Sequence, residues 1–185
     1  MVAAVVGFLL VGGGVFLLQE NQKAVASLNE TLPEGVRVEK SLFGNEYKIV
    51  NKIDGYEFTV PKEWVGVQKV EYIKQDKNEN KYETASIEIT GVEGIGRLIG
   101  VDKFNIQEFE SKNLENTARE IFEYYELTGE FSKDPVGNIE IVKTRSDTQL
   151  LGMYVYFFKT NSAIYGVTGG SEEYIRKIIS SGKWQ

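Results

Sequence analysis

From Val2 to Leu18 every residue is apolar or glycine, VAAVVGFLLVGGGVFLL, and such a run has to be hidden from water. At about 1.5 Å of rise per residue it spans about 26 Å as a helix, near the lower limit for crossing a bilayer. Gly7 and Gly12 to Gly14 weaken it as an aqueous helix, but glycine is tolerated in transmembrane helices. A helix at the surface of a soluble core carries a polar stripe, and none occurs here before Gln19. Residues 1–18 therefore read as a transmembrane anchor. A cleaved signal peptide and a buried soluble helix are the alternatives. The cleaved form would use Ala24-Val25-Ala26, from which Gln19 to Lys23 separate the apolar run. No Lys or Arg precedes Val2, so charge does not set the orientation, and the bare lead is what a chain shortened upstream of Met1 would show. The expectation of a single-pass membrane protein with its C-terminal domain extracytoplasmic follows the usual behaviour of N-terminal anchors. Gly12 to Gly14 form no phosphate loop, because no Lys-Ser/Thr follows them.

The rest of the 185 residues gives room for one ordinary domain, and 42% hydrophobic content with 12% aromatics is enough for a packed core. A net charge of −6 argues against nucleic acid as a partner, which would need a basic face to displace counterions. The chain has no Cys, which removes disulfides, thiolate nucleophiles and thiolate zinc sites. It has no His either, which removes Ser-His-Asp catalysis and imidazole metal sites. Carboxylates, Lys, Tyr, Ser/Thr and backbone groups are what remains for chemistry. No catalytic signature is built from them, so the expectation is a non-enzymatic protein without a cofactor.

Residues 19–45 are polar and hold the turn signal Pro33-Glu34-Gly35; they read as a linker, with helix continuing to about Leu28. Asn29-Glu30-Thr31 matches a glycosylation sequon. The soluble α/β domain is expected over 46–185. Tyr47 to Ile53 and Tyr56 to Val60 flank Asp54-Gly55, a two-residue hairpin signal. Strands are predicted over Val65 to Lys74 and Tyr82 to Thr90, the second with Ala85, Ile87 and Ile89 on one face and Ser86, Glu88 and Thr90 on the other. A glycine-dense loop follows, Gly91 to Gly100. A long amphipathic helix then starts near Asn105, with Glu108 as capping-box partner, and ends at Thr128-Gly129. Three strands are predicted over Ile139 to Arg145, Leu150 to Lys159 and Ala163 to Thr168, with the doubly apolar Met153 to Phe158 central in the sheet. A short helix closes the domain after Gly169-Gly170-Ser171, burying Ile175, Ile178 and Ile179. Hairpin spacings dominate, which predicts an α+β fold with a mainly antiparallel sheet packed by helices.

Gly55-Tyr56-x-Phe58-x-x-Pro61-x-x-Trp64 resembles the opening motif of the PsbP-like family, lumenal accessory proteins of photosystem II and their bacterial relatives. Tyr156-Phe157-Phe158, a hairpin, Tyr165-x-Val167-Thr168 and a closing helix with Glu172, Glu173, Ile178 and Ile179 continue the likeness, which covers roughly residues 46–182. The resemblance implies an α-β-α sandwich acting as a binding or assembly module, often secreted or membrane-tethered. Metal sites proposed for photosynthetic members lean on His, so no metal and no photosystem role follow for this chain.

The candidate sites are few. Asp76-x-Asn78-x-Asn80 has the oxygen spacing that opens a calcium loop, but the sixth position lacks Gly and the twelfth is Ile87, so a solvated hairpin tip explains it better. Gly94-x-Gly96-x-x-x-Gly100 departs by one residue from dinucleotide-loop spacing and lacks the parallel βαβ context; it reads as a mobile connection, or the lip of a binding groove. Glu108 with Glu110, and Glu123 with Glu126, read as a solvated helix face, and Tyr124-Tyr125 beside Phe122 as core and rim packing. The function expected is a membrane-anchored binding or assembly module with a protein partner. The alternatives are a structural subunit packed through its N-terminal helix, and a carboxylate-dependent enzyme, which two acidic residues with raised pKa facing one cleft would favour.

Overall fold

The computed structural model describes residues 23, 25–41, 46–60, 67–78, 80–91, 98–111, 113–146 and 152–185. The anchor read at 1–18, Pro61, Trp64, Gly94 and Gly96 lie outside them. Among the described residues no helix is long and apolar enough to cross a membrane.

The fold is α+β, with two sheets whose pairings are all antiparallel among the described strands. The smaller sheet holds β1 (Val36–Lys40), β2 (Tyr47–Asn51), β3 (Tyr56–Val60) and β11 (Lys183–Trp184), in the order β1-β2-β3-β11. The larger holds β4 (Val67–Gln75), β5 (Thr84–Gly91), β6 (Leu98–Asn105), β7 (Ser132–Lys133), β8 (Val142–Arg145), β9 (Tyr154–Lys159) and β10 (Ala163–Gly169), in the order β4-β5-β6-β10-β9-β8-β7. The helices are α1 (residues 25–29), α2 (Leu114–Tyr124) and α3 (Glu172–Ser181).

Period-two alternation in the strands divides the apolar residues between two cores. One core joins the smaller sheet, α3 and one face of the larger sheet, through residues such as Ile49, Phe58, Ile87, Val101, Tyr165 and Ile178. The other lies on the opposite face beneath α2, where Phe104, Leu114, Ala118, Ile121, Phe122, Phe157 and Ile164 meet. Every residue of β10 is buried, so β10, flanked by β6 and β9, is the central strand. The sequence placed β9 there; both strands are apolar on two faces, and only the pairing order separates them.

Several boundaries differ from the sequence reading. The linker assigned to residues 19–45 contains β1, which pairs with β2 from Val36↔Asn51 to Lys40↔Tyr47. Val36 and Val38 point inward while Arg37 is exposed, an alternation too short to stand out among polar neighbours. Leu28 is buried in the same core, and the Asn29 amide ties α1 to β1: its Nδ2 donates to Val25 O and Val38 O, and its Oδ1 accepts from Val38 N at 2.7 Å. The sequon asparagine is thus a structural clamp. The β2–β3 connection is four residues, since Asn51 pairs with Tyr56; the Asn51 side chain binds both the backbone N–H and the carboxylate of Asp54, and Gly55 takes φ +75°.

The largest correction concerns the middle of the chain. Gly91 ends β5 and Gly100 lies inside β6, so the predicted glycine loop shrinks from both ends. Asn105 does cap, accepting from Gln107 N, but what it caps is a single 3-10 turn at Ile106–Glu108. The true helix begins nine residues later, where Asn113 Oδ1 accepts from Glu115 N and Asn116 N. It ends at Tyr124, and Glu126 takes the left-handed conformation, φ +55°, where Thr128-Gly129 had been expected to stop it. Glu108 turns away from its expected cap and accepts from Glu83 N at 2.9 Å, with Lys77 Nζ 3.0 Å from its other oxygen.

Candidate functional site

The two faces of the larger sheet carry different chemistry. Toward the first core, β5, β6 and β10 present Ile87, Ile89, Ile99, Val101 and Val167. Toward α2 the alternate positions of the same strands present Ser86, Glu88, Asp102 and Thr168. These polar residues do not lie directly under a fully covering helix. They floor a pocket of about 320 Å³ completed by Ile73 and Gln75 of β4, Phe104 of β6, Val155 and Phe157 of β9, and Ile121, Phe122, Tyr125 and Leu127 at the C-terminal end of α2 and just beyond it.

Strand register builds the centre of this pocket. Asp102 is paired with Ser86 on β5 and with Gly166 on β10. Ser86 Oγ donates to the Asp102 carboxylate at 2.5 Å. Gly166 contributes no side chain, so the Phe157 ring packs close over that flank of the carboxylate. Two residues along the strand, Gly100 is paired with Glu88 on one side and Thr168 on the other. Asp102 thus has a glycine two residues before it on β6 and another across from it on β10. Burial pushes the Asp102 carboxyl up to about 6, against the Ser86 hydrogen bond, and the negative Glu88 adds to the rise. Burial likewise lifts the Tyr125 phenol above its ordinary range, keeping it a neutral hydrogen-bonding group at the rim.

A second charged cluster lies on the opposite face. Lys143 Nζ is 2.8 Å from Asp134 and 2.7 Å from Glu172, Arg176 pairs with Asp134, and the Tyr156 hydroxyl donates to Glu172. Lys143 and Arg176 both stand over the Tyr156 ring. The Arg176 and Lys143 partners hold Asp134 below the usual carboxylate range, and Lys143 and Tyr156 do the same for Glu172. Every charge here is matched by another within the cluster, as suits a clasp joining α3 to the larger sheet.

The residues singled out in the sequence fall differently. Asp76 Oδ1 accepts from Asn78 N, and Asp76 O accepts from Asn80 N, so the Asp76, Asn78, Asn80 segment is a self-bonded hairpin tip. Among the described residues no three His, Cys, Asp or Glu side chains gather to hold a metal. Gly100 is a residue of β6, not a loop lip, paired with Glu88 and Thr168 of the pocket. Glu123 and Glu126 are exposed. Phe122 and Tyr125, expected as packing, line the pocket, while the Tyr124 hydroxyl accepts from Lys81 N. Asp102 was missed: a lone acid among Gly100, Val101, Lys103 and Phe104 carries no motif, and only the pairing with Ser86 gives it a setting.

Fold and pocket together define a class of protein, an antiparallel α+β domain with an acid-floored pocket between sheet and helix. Comparison with protein-family models, with curated proteins and with solved structures gave no match to this chain.

Proposed function

We propose that the chain is a membrane-anchored, extracytoplasmic, non-enzymatic binding module of PsbP-like build, with its ligand site in the pocket beneath α2. The observation that carries this reading is the pocket itself. Apolar walls with a few converging polar groups are what a small-molecule site requires, the walls for the ligand's body and the polar groups for its orientation. The apolar run at 1–18 supports the anchor, which would raise the local concentration of the domain at a membrane where a protein partner could meet it. The sheet packed by α2 on one face and α3 on the other is compatible with the family resemblance. Fractionation of the native host with protease added to intact cells tests the placement, with and without residues 1–18. The domain is expected in the membrane fraction and open to external protease only when residues 1–18 are present; recovery in the cytosol with the run intact overturns it.

A second reading, a carboxylate-dependent enzyme, is favoured by Asp102 and Glu88 lining one pocket and by the Asp102 carboxyl lying at about 6, within range of general acid work. Turnover of a small ester or glycoside that Asp102→Asn abolishes would establish it in place of the first.

A further inference from the structure

We infer that the pocket beneath α2 takes an organic monocation, a protonated amine on an apolar body about the size of one ring, with its ammonium seated against Asp102. The inference rests on the reading of this pocket as the ligand site and names its ligand class.

Charge gives the first reason. The described lining holds two carboxylates, Asp102 and Glu88, and no lysine or arginine. An anion would be repelled by both, and a neutral ligand would displace water from them without compensating their charge. An ionised carboxylate can accept about four hydrogen bonds. Ser86 Oγ supplies one to Asp102, and across the strand Gly166 offers no side chain to supply another. An ammonium donates up to three, and charge-assisted bonds of this kind are the stronger sort.

The walls give the second. Phe104, Phe122, Phe157 and Tyr125 surround the floor, and aromatic faces attract cations. A metal ion would demand several charged oxygen ligands, and among the described residues only two carboxylates, Asp102 and Glu88, line this pocket. A ligand with one charged end and an apolar remainder matches both surfaces. The volume, about 320 Å³, lies at the small end of ligand pockets and suits a ring with a short chain.

The carboxyl's position at about 6 adds support, because burial disfavours the ionised acid and a cation beside it would reverse that. Titratable groups acting on Asp102 are Glu88 from β5, Tyr125 just after α2 and Tyr56 from β3; β10 presents Gly166 and Thr168, and β4 and β9 present Ile73, Gln75, Val155 and Phe157, all uncharged. Cation affinity should therefore fall as pH drops through about 6.

Titration calorimetry on the full chain in detergent, with 2-phenylethylammonium, 2-phenylethanol and phenylacetate, tests this. At about pH 7.5 the ammonium is expected to bind, and Asp102→Asn to weaken it by about tenfold or more. At about pH 5 the natural chain should lose affinity for the ammonium while the variant changes little. The alcohol should bind more weakly than the ammonium and equally to both chains, and circular dichroism should show the variant folded. If alcohol and ammonium bind alike, if phenylacetate binds best, or if Asp102→Asn leaves the ammonium unaffected, the cation assignment is overturned while the pocket stands as a ligand site. If none of the three binds the natural chain, the assignment and the pocket reading beneath it both fail.

Discussion

Gly166 stands directly across the sheet from Asp102, and the Cβ it lacks would lie 3.8 Å from the carboxylate Oδ2 and 3.3 Å from the Phe157 ring. The absence of that atom is what lets the Phe157 ring approach the carboxylate's flank of the pocket floor.

Gly166→Ala should therefore narrow the pocket. The contact with Phe157 is tight enough that the ring has to give, and overpacking of this kind costs about 1 kcal/mol or somewhat more. Thermal melting should register the loss, and binding of any pocket ligand should weaken alongside it. A variant with unchanged melting and unchanged affinity would show that the floor does not depend on this position.

Asp102 makes stability depend on pH with a definite sign. Its carboxyl sits at about 6 in the fold against an ordinary value near 3.8, so the folded chain holds the proton more tightly than the unfolded one. Stability from this group is present below about pH 4, falls between about pH 4 and 6, and stays low above that. The side chain is partly exposed to the pocket, which limits the cost to about 1–3 kcal/mol. Asp102→Asn should melt higher than the natural chain near neutral pH, with the gain vanishing below about pH 4. Melting curves across that range would sink the account if the variant melted lower throughout.

The clasp around Lys143 has the opposite sign. Glu172 and Asp134 are held below the carboxylate range, so their contribution is present above the unfolded value of about 4 and is lost as pH falls through the folded values. Glu172→Gln removes the charge that meets Lys143 and weakens the bond from Tyr156. These side chains are about one-quarter to one-third exposed, so a loss of about 1 kcal/mol is expected at neutral pH, shrinking in acid. Denaturant unfolding at two pH values measures it, and an equal loss at both would contradict the electrostatic origin.

Trp184 closes the first core over the smaller sheet. Its ring stacks on Tyr56 at 5.6 Å and Phe58 at 5.9 Å, meets Phe158 edge-on at 5.0 Å, and its Nε1 donates to Ile179 O. A Cβ on Gly182 would fall within that indole. Gly182→Ala should expel the ring and approach the cost of Trp184→Ala, about 2–3 kcal/mol for a large, partly buried aromatic. Tryptophan emission should shift to the red in the alanine variant at 182. An unshifted spectrum with unchanged stability would contradict the packing.

How much of this was legible in the chain depended on the range of the forces involved. β3, β5, the β9–β10 hairpin and α3 were readable because alternation, turn residues and an apolar stripe are local signals. β1 and β6 were not. Val36 and Val38 are two valines in a polar stretch, and they become a strand only because β2 offers a partner. β6 was split between a glycine loop and a helix lead because Gly100 interrupts its alternation and Asn105 caps a turn of the wrong kind. The pocket inherits that gap. Asp102 becomes distinctive only when pairing sets Ser86 on one side of it and Gly166 on the other, contacts about 16 and 64 residues away along the chain.

The position of β11 also bears on when the molecule can become native. Lys183 and Trp184 complete a sheet begun at Val36, and Ser181 Oγ reaches back to Thr59 across 122 residues. Such long closures make folding slow, because chain entropy must be spent before the contacts return it. A chain emerging from the ribosome would carry the smaller sheet open, its aromatic centre unsealed, until residues 183–184 arrived. Delay of that sort keeps a polypeptide threadable through a narrow channel while it is being made.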